Sequence, residues 1–270
     1  MKKTSTLFSL CIISLIGVTQ QNSLFEKQLF IQGDDTLRCR ILTPQNFSPS
    51  KKYPLVIFLH GSGERGDDNE KQLVWGADFF LDSLNRLRYP AIVVFPQCPA
   101  NESWSNVNRS GMKDSLGGFI FDTIAPIKKP SRLVLQFIDT LLAQGGIDKQ
   151  RIYLGGLSMG GFGSFELLWR RPDLFAAAFP ICGGGSPDKT SIYAKALPVW
   201  VFHGAADPVV PVANSRIMVA ALQKTGAKVQ YTEYPGVGHD SWKNALAEPG
   251  LMAWIFNQKK PTDKLKKSRK

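Results

Sequence analysis

Five short apolar runs, separated by stretches of helical periodicity, constrain the fold of this chain more than any other feature. They are Leu55–Leu59, Ala91–Phe95, Ile152–Leu154, Leu174–Phe179 and Val199–Phe202. A strand with one wet face alternates polar and apolar residues, and these do not. Continuous apolarity suits strands of a parallel sheet covered by helices on both faces. Two earlier runs, Leu24–Gln32 and Thr36–Leu42, alternate better and flank Gly33-Asp34-Asp35, the pattern of an antiparallel hairpin. Val229–Tyr234 reads as a final strand. Between the strands, Arg132–Ala143, Met159–Arg170 and Val212–Lys224 carry helical spacing, and Trp242–Phe256 reads as a closing helix. Pro211 before one helix and Gly226 after it are good start and stop signals. The pattern predicts an α/β fold: a mostly parallel, doubly wound sheet with an N-terminal antiparallel hairpin and right-handed crossovers. Asn101–Pro130 fits no regular element and is expected to be an insertion over the strand ends, where α/β proteins bind ligands.

A chain of 270 residues with no repeat and no low-complexity linker is expected to form one large domain, here over residues 22–258. The net charge of +11 is unevenly placed. Residues 259–270 hold seven basic residues and Asp263, and Lys2-Lys3 add two more, which leaves +3 for residues 4–258. So mild a charge on the body argues against a nucleic-acid partner, and residues 259–270 read as a disordered basic tail. Lys2-Lys3, the apolar stretch Leu7–Val18 and the polar Thr19–Asn22 form an export signature. Residues 1–21 are expected to be a cleaved signal peptide, too short in its apolar part for stable membrane insertion, and the protein to be secreted or periplasmic. Cys11 raises a lipoprotein alternative, but Leu10 is too bulky for the usual lipobox. Cys39, Cys98 and Cys182 remain after the leader, an odd number. Cys98 and Cys182 follow strands separated by two others in the expected sheet, roughly 14 Å from each other at about 4.8 Å per strand, too far for a disulfide.

The chemistry starts at Gly156-Leu157-Ser158-Met159-Gly160, which lies between a strand and a helix. A serine that merely caps a helix also sits in such turns. A strand running into the turn and a helix leaving it mark a nucleophile elbow instead, with the serine hydroxyl lifted above the sheet. A serine is a weak nucleophile without a base. The chain has three histidines, His60, His203 and His239, each at or after a strand end. The order expected on such a sheet is Ser, acid, His. Only His239 follows Ser158 and leaves room for an acid between them. His203 reads as structural, bonded to nearby backbone. Asp207, just after the strand ending at Phe202, is the acid, beside the plainer reading of an Asp-Pro turn residue. Asp240 is His239's own neighbour and poorly placed to reach its ring. The oxyanion of a tetrahedral intermediate needs backbone donors. Met159 N–H is one. The other comes from His60-Gly61-Ser62-Gly63-Glu64-Arg65-Gly66, with Ser62 N–H preferred and Gly61 the alternative. This loop lacks the lysine and helix of a phosphate cradle.

With these motifs in order, the chain resembles secreted single-domain carboxylesterases of the α/β-hydrolase superfamily. These are the phospholipase/carboxylesterase-like "predicted peptidases", related to feruloyl-esterase and polyhydroxybutyrate-depolymerase-like hydrolases. The matching stretches are Leu59–Gly66, Phe95–Pro99, Ile152–Phe165, Phe175–Gly185, Val201–Pro211 and Tyr231–Trp242. Departures are Asp240, where an Asn is frequent, and the unpatterned Asn101–Pro130. The resemblance implies Ser158, Asp207 and His239 as a triad. It also implies a serine esterase that needs no cofactor or metal and works on a small-molecule or polysaccharide-linked ester. Trp104, Trp242 and Cys182 are placed by sequence to approach the cleft, and Arg65 to clamp a substrate carboxylate; core packing and a plain loop charge are the alternatives. A serine peptidase acting on short peptides and a non-catalytic binding protein on the same fold are the rival functions. Nothing in the pattern specifies an oligomer.

Overall fold

A computed structural model describes residues 24–110, 116–195 and 197–261. Strands β1 (Glu26–Gln32) and β2 (Asp35–Leu42) form the expected antiparallel hairpin, turning at Gly33 with φ +59°. They continue into β3 (Tyr53–Leu59), β4 (Ile92–Gln97), β7 (Ile147–Leu157), β8 (Ala177–Ile181), β9 (Val199–Gly204) and β10 (Val229–Tyr234). The eight-stranded sheet runs β1-β2-β4-β3-β7-β8-β9-β10. The β1–β2 and β2–β4 pairs are antiparallel, and every later pair is parallel.

Two apolar layers explain why the central strands are apolar throughout. Leu55, Ile57 and Leu59 of β3 enter one core with helices α3 (Lys129–Gln144), α4 (Met159–Arg170) and α6 (Ala213–Lys224). Val56 and Phe58 enter the other, against α1 (Ala77–Leu81), α7 (Trp242–Leu246) and α8 (Leu251–Phe256). Successive side chains point to opposite faces, so a strand covered on both sides has no position for a polar residue. The remaining helices are short: α2 (Ser83–Arg88) and α5 (Thr190–Tyr193).

The structure departs from the sequence reading in four places. Trp242–Phe256 is two helices rather than one, because Pro249 disfavours helix before it and Gly250 adopts φ +85°. The apolar run at Leu174 is displaced, the strand lying at Ala177–Ile181. Leu174 and Phe175 are buried but belong to a turn in which Leu174 N–H donates to Arg171 O. Asn101–Pro130 contains a small antiparallel pair, β5 (Val107–Arg109) and β6 (Phe119–Phe121). Lys260, assigned by sequence to the tail, is held by the body: its N–H donates to Gln150 O at 3.0 Å, and its Nζ to Asp173 O and Leu174 O at 2.8 and 2.7 Å. The signal-peptide reading falls outside the described residues. Among the described residues no helix is long and apolar enough to cross a membrane, and Cys39, Cys98 and Cys182 are buried free thiols.

Candidate active site

Ser158 occupies a strained turn between β7 and α4, with φ +52° and ψ −116°. A non-glycine residue at such φ is costly and persists only where the surroundings enforce it. The enforcement is close backbone packing. A Cβ on Gly156 would overlap the Gly160 carbonyl, and one on Gly160 would overlap the Leu59 carbonyl at the end of β3. Ser158 N–H donates to Ile181 O of β8 at 2.9 Å, fixing the turn across the sheet. Met159 opens α4, so its N–H has no partner inside the helix and sits at the positive end of the helix dipole.

The loops after β9 and β10 bring the other two groups to this turn. His239 Nε2 lies 2.9 Å from Ser158 Oγ, and its Nδ1 lies 2.7 Å from Asp207 Oδ2. Asp207 Oδ1 accepts the N–H groups of Val209 and Val210, both at 2.9 Å. An ionised carboxylate only accepts, so Nδ1 carries the proton and Nε2 is free to accept from the serine hydroxyl. Burial works to raise the Asp207 carboxyl, but hydrogen bonds from His203, His239 and the Val210 and Val209 N–H groups outweigh it and hold the group well below the usual carboxylate range. Two backbone bonds, Ala205 N–H to Tyr234 O and Ala206 N–H to Val237 O, tie the acid loop to the histidine loop. Asp240 points elsewhere, to Lys243 Nζ at 2.9 Å.

The loop after β3 closes the site. A Cβ on Gly61 would stand 3.6 Å from the Cβ of Ser158, so the loop lies directly against the nucleophile. Ser62–Glu64 form one turn of 3-10 helix. His60, fully buried, locks this segment: Cys98 N–H donates to its Nε2 at 2.9 Å, and its Nδ1–H donates to Gly61 O at 2.6 Å. Trp104 Nε1–H donates to His60 O at 3.0 Å. Arg65 donates from Nε to Ser62 O at 2.9 Å and from Nη1 to Glu102 O at 3.3 Å.

These contacts redistribute the residues that sequence placed around a substrate. Trp104 is 0% exposed, so it supports the loop from the core and does not line an open cleft. Arg65 is engaged with the backbone carbonyls of Ser62 on its own loop and of Glu102 beyond β4. Trp242 is beside the triad: its ring meets His239 edge-on at 5.4 Å and Trp75 at 5.6 Å. Trp75 escaped the sequence reading. It stands alone in Gln72-Leu-Val-Trp-Gly76 without periodicity or motif. Cys182, Asp207 and His239 present ligand-type atoms within 4.8 Å of one another. The Asp and His atoms are already hydrogen-bonded to each other, and burial pushes the Cys182 thiol up.

Residues 47–248 match the family described as Phospholipase/Carboxylesterase. Mouse lysophospholipase-like protein 1 is 27% identical over 75% of this chain and 86% of its own length. A probable carboxylesterase of Oryza sativa subsp. japonica is 26% identical over 80% of this chain and 82% of its own. A solved thermostable esterase superposes with a TM-score of 0.78 at 38% identity, over 89% of this chain and 64% of its own length. A ferulic acid esterase of Anaeromyces mucronatus shares the fold, with a TM-score of 0.63 at 18% identity over 87% of this chain and 90% of its own. With a family match over residues 47–248 and an esterase fold superposed on most of the chain, the chain belongs to the phospholipase/carboxylesterase family of α/β-hydrolases.

Proposed function

We propose that this protein hydrolyses a carboxylic ester through an acyl-Ser158 intermediate. The observation that carries this reading is the hydrogen-bonded chain Ser158–His239–Asp207, at 2.9 and 2.7 Å. Ser158 Oγ attacks the ester carbonyl carbon while its proton passes to His239 Nε2. Asp207 steadies the imidazolium that forms. The N–H groups of Met159 and Ser62 receive the oxyanion. His239 returns the proton to the leaving alcohol, and a water activated by the same nitrogen then hydrolyses the acyl-enzyme. No step needs a metal or cofactor. The Trp75 and Trp242 rings, inclined at 53° to each other beside His239, offer apolar faces suited to an aromatic acid or a sugar ring, which supports a carbohydrate-linked acyl or aromatic ester as substrate.

A fluorophosphonate probe is expected to label the wild type and not Ser158→Ala. The variant's kcat/KM should fall by about 10⁴-fold or more. An unlabelled wild type would favour a non-catalytic binding protein. Nitrophenyl acetate, methyl ferulate and short peptides compared side by side decide the bond: faster peptide than ester cleavage would overturn the esterase assignment in favour of a peptidase. The apolar run Leu7–Val18 supports export. N-terminal sequencing of protein from a secreting host should find a start close to residues 18–22, and an intact Met1 would refute it.

A further inference from the structure

The triad uses one histidine, yet a second imidazole touches the same carboxylate. His203, at the end of β9 and 0% exposed, has Nε2 2.9 Å from Val210 O and 3.2 Å from Asp207 Oδ2. Both are acceptors, so Nε2 carries a proton and shares it between them. Its Nδ1 is 2.7 Å from Ser215 Oγ on α6, and that hydroxyl lies 3.1 Å from Gly183 O beyond β8. The ring is thus held on both edges by groups from different elements.

We propose that His203 is a positioning residue of the triad, clamping the 207–210 loop from inside so that Asp207 Oδ2 stays aimed at His239. The loop's own bonds show why a clamp matters. Val210 N–H donates to Asp207 Oδ1 while Val210 O accepts from His203, so the imidazole secures the residue that secures the acid. Asp207 Oδ2 then meets His239 Nδ1–H on one side and His203 Nε2–H on the other. A carboxylate with one fewer donor turns more freely, and a carboxylate off axis leaves His239 misaligned. The charged groups facing His203 are Asp207 and His239 on the loops, and Glu233, its register partner on β10, which is paired with Arg216 of α6. This inference rests on the triad reading.

The test is a kinetic series on the full chain with nitrophenyl acetate: wild type, His203→Leu and His203→Gln. Leu removes both ring nitrogens, and Gln keeps an N–H near the Nε2 position. His203→Leu is expected to lower kcat by about tenfold to hundredfold with KM within about twofold. His203→Gln, which keeps a donor for Asp207 and Val210 O, should recover most of the rate. A folded His203→Leu with wild-type kcat would overturn the inference. If His203→Leu does not fold, the wild type still decides: nitrogen NMR of histidine-labelled protein should find Nε2 of His203 protonated throughout the active pH range, and an unprotonated Nε2 overturns the clamp. A labelled, active wild type with either negative result fails this inference alone. A wild type that fluorophosphonate does not label fails the triad reading itself.

Discussion

With its Nδ1–H on Gly61 O and its Nε2 accepting from Cys98 N–H, His60 has no room for a second proton. Burial drives its pKa down to about 4. In the unfolded chain an imidazole titrates near 6.5. Between those values the unfolded state binds a proton that the folded state does not, so stability rises with pH across the window and falls as pH drops from 6.5 to 4. The loss over the window is on the order of 3 kcal/mol. Urea midpoints measured at pH 7 and pH 4.5 should show it, and His60→Gln, uncharged at either pH, should lack this part of the slope. Equal slopes in the two proteins would refute the assignment. The residues that meet at Ser158 were legible in sequence because strand order and the small number of histidines restrict the choices. The supports were not legible. An indole that bonds a carbonyl from the core and one that lines a cleft look identical in a string of letters, and only burial separates Trp104 from Trp242.

The β5–β6 pair is where an element departs furthest from its sequence pattern. Its strands are three residues each, too short for periodicity to register. They are stabilised by what they lie on. Phe119 packs with Phe162 of α4 and with Val210 of the acid loop, and Val107 and Phe121 pack against the same cluster. Arg109 binds the hairpin to the site: Nη2 donates to Val209 O at 2.9 Å, and the guanidinium lies 4.5 Å from the Phe119 ring centre. One hydrogen bond and one cation–π contact together contribute about 1–2 kcal/mol to the local stability of the pair. Arg109→Ala should therefore speed chymotrypsin nicking near Phe119 and Phe121 several-fold while Ser158 still reacts with fluorophosphonate. Nicking at the wild-type rate would show that the aromatic cluster alone holds the hairpin. The same dependence on context explains the other misread elements. The long strands and helices announce themselves because packing demands a repeating pattern. The break at Pro249-Gly250 and the buried turn at Leu174 follow from single backbone conformations set inside otherwise apolar stretches.

At the scale of the whole molecule, composition divides body from tail less accurately than hydrogen bonding does. Like charges repel and solvate, so Lys259 and Lys260 look continuous with the basic residues that follow. Yet Lys260 spends its backbone N–H on Gln150 O in β7 and its ammonium on the carbonyls of Asp173 and Leu174, just before β8. Nearby, Tyr153 Oη–H donates to Gln258 O at 2.8 Å. The chain is therefore fastened across the starting ends of β7 and β8 by its last described residues, while β7 carries the nucleophile at its other end. Two truncations separate fastening from charge. Ending the chain after Gln258 removes three hydrogen bonds made by Lys260 and should cost about 1–3 kcal/mol. That is a fall in Tm of roughly 3–10 °C for a domain of this size. Ending it after Pro261 removes five basic residues and Asp263 but keeps Lys260, and a surface change of that kind is worth no more than about 0.5 kcal/mol. Differential scanning calorimetry of the two should thus show one destabilised protein and one close to full length. Equal Tm values would mean that the Lys260 contacts add nothing to stability.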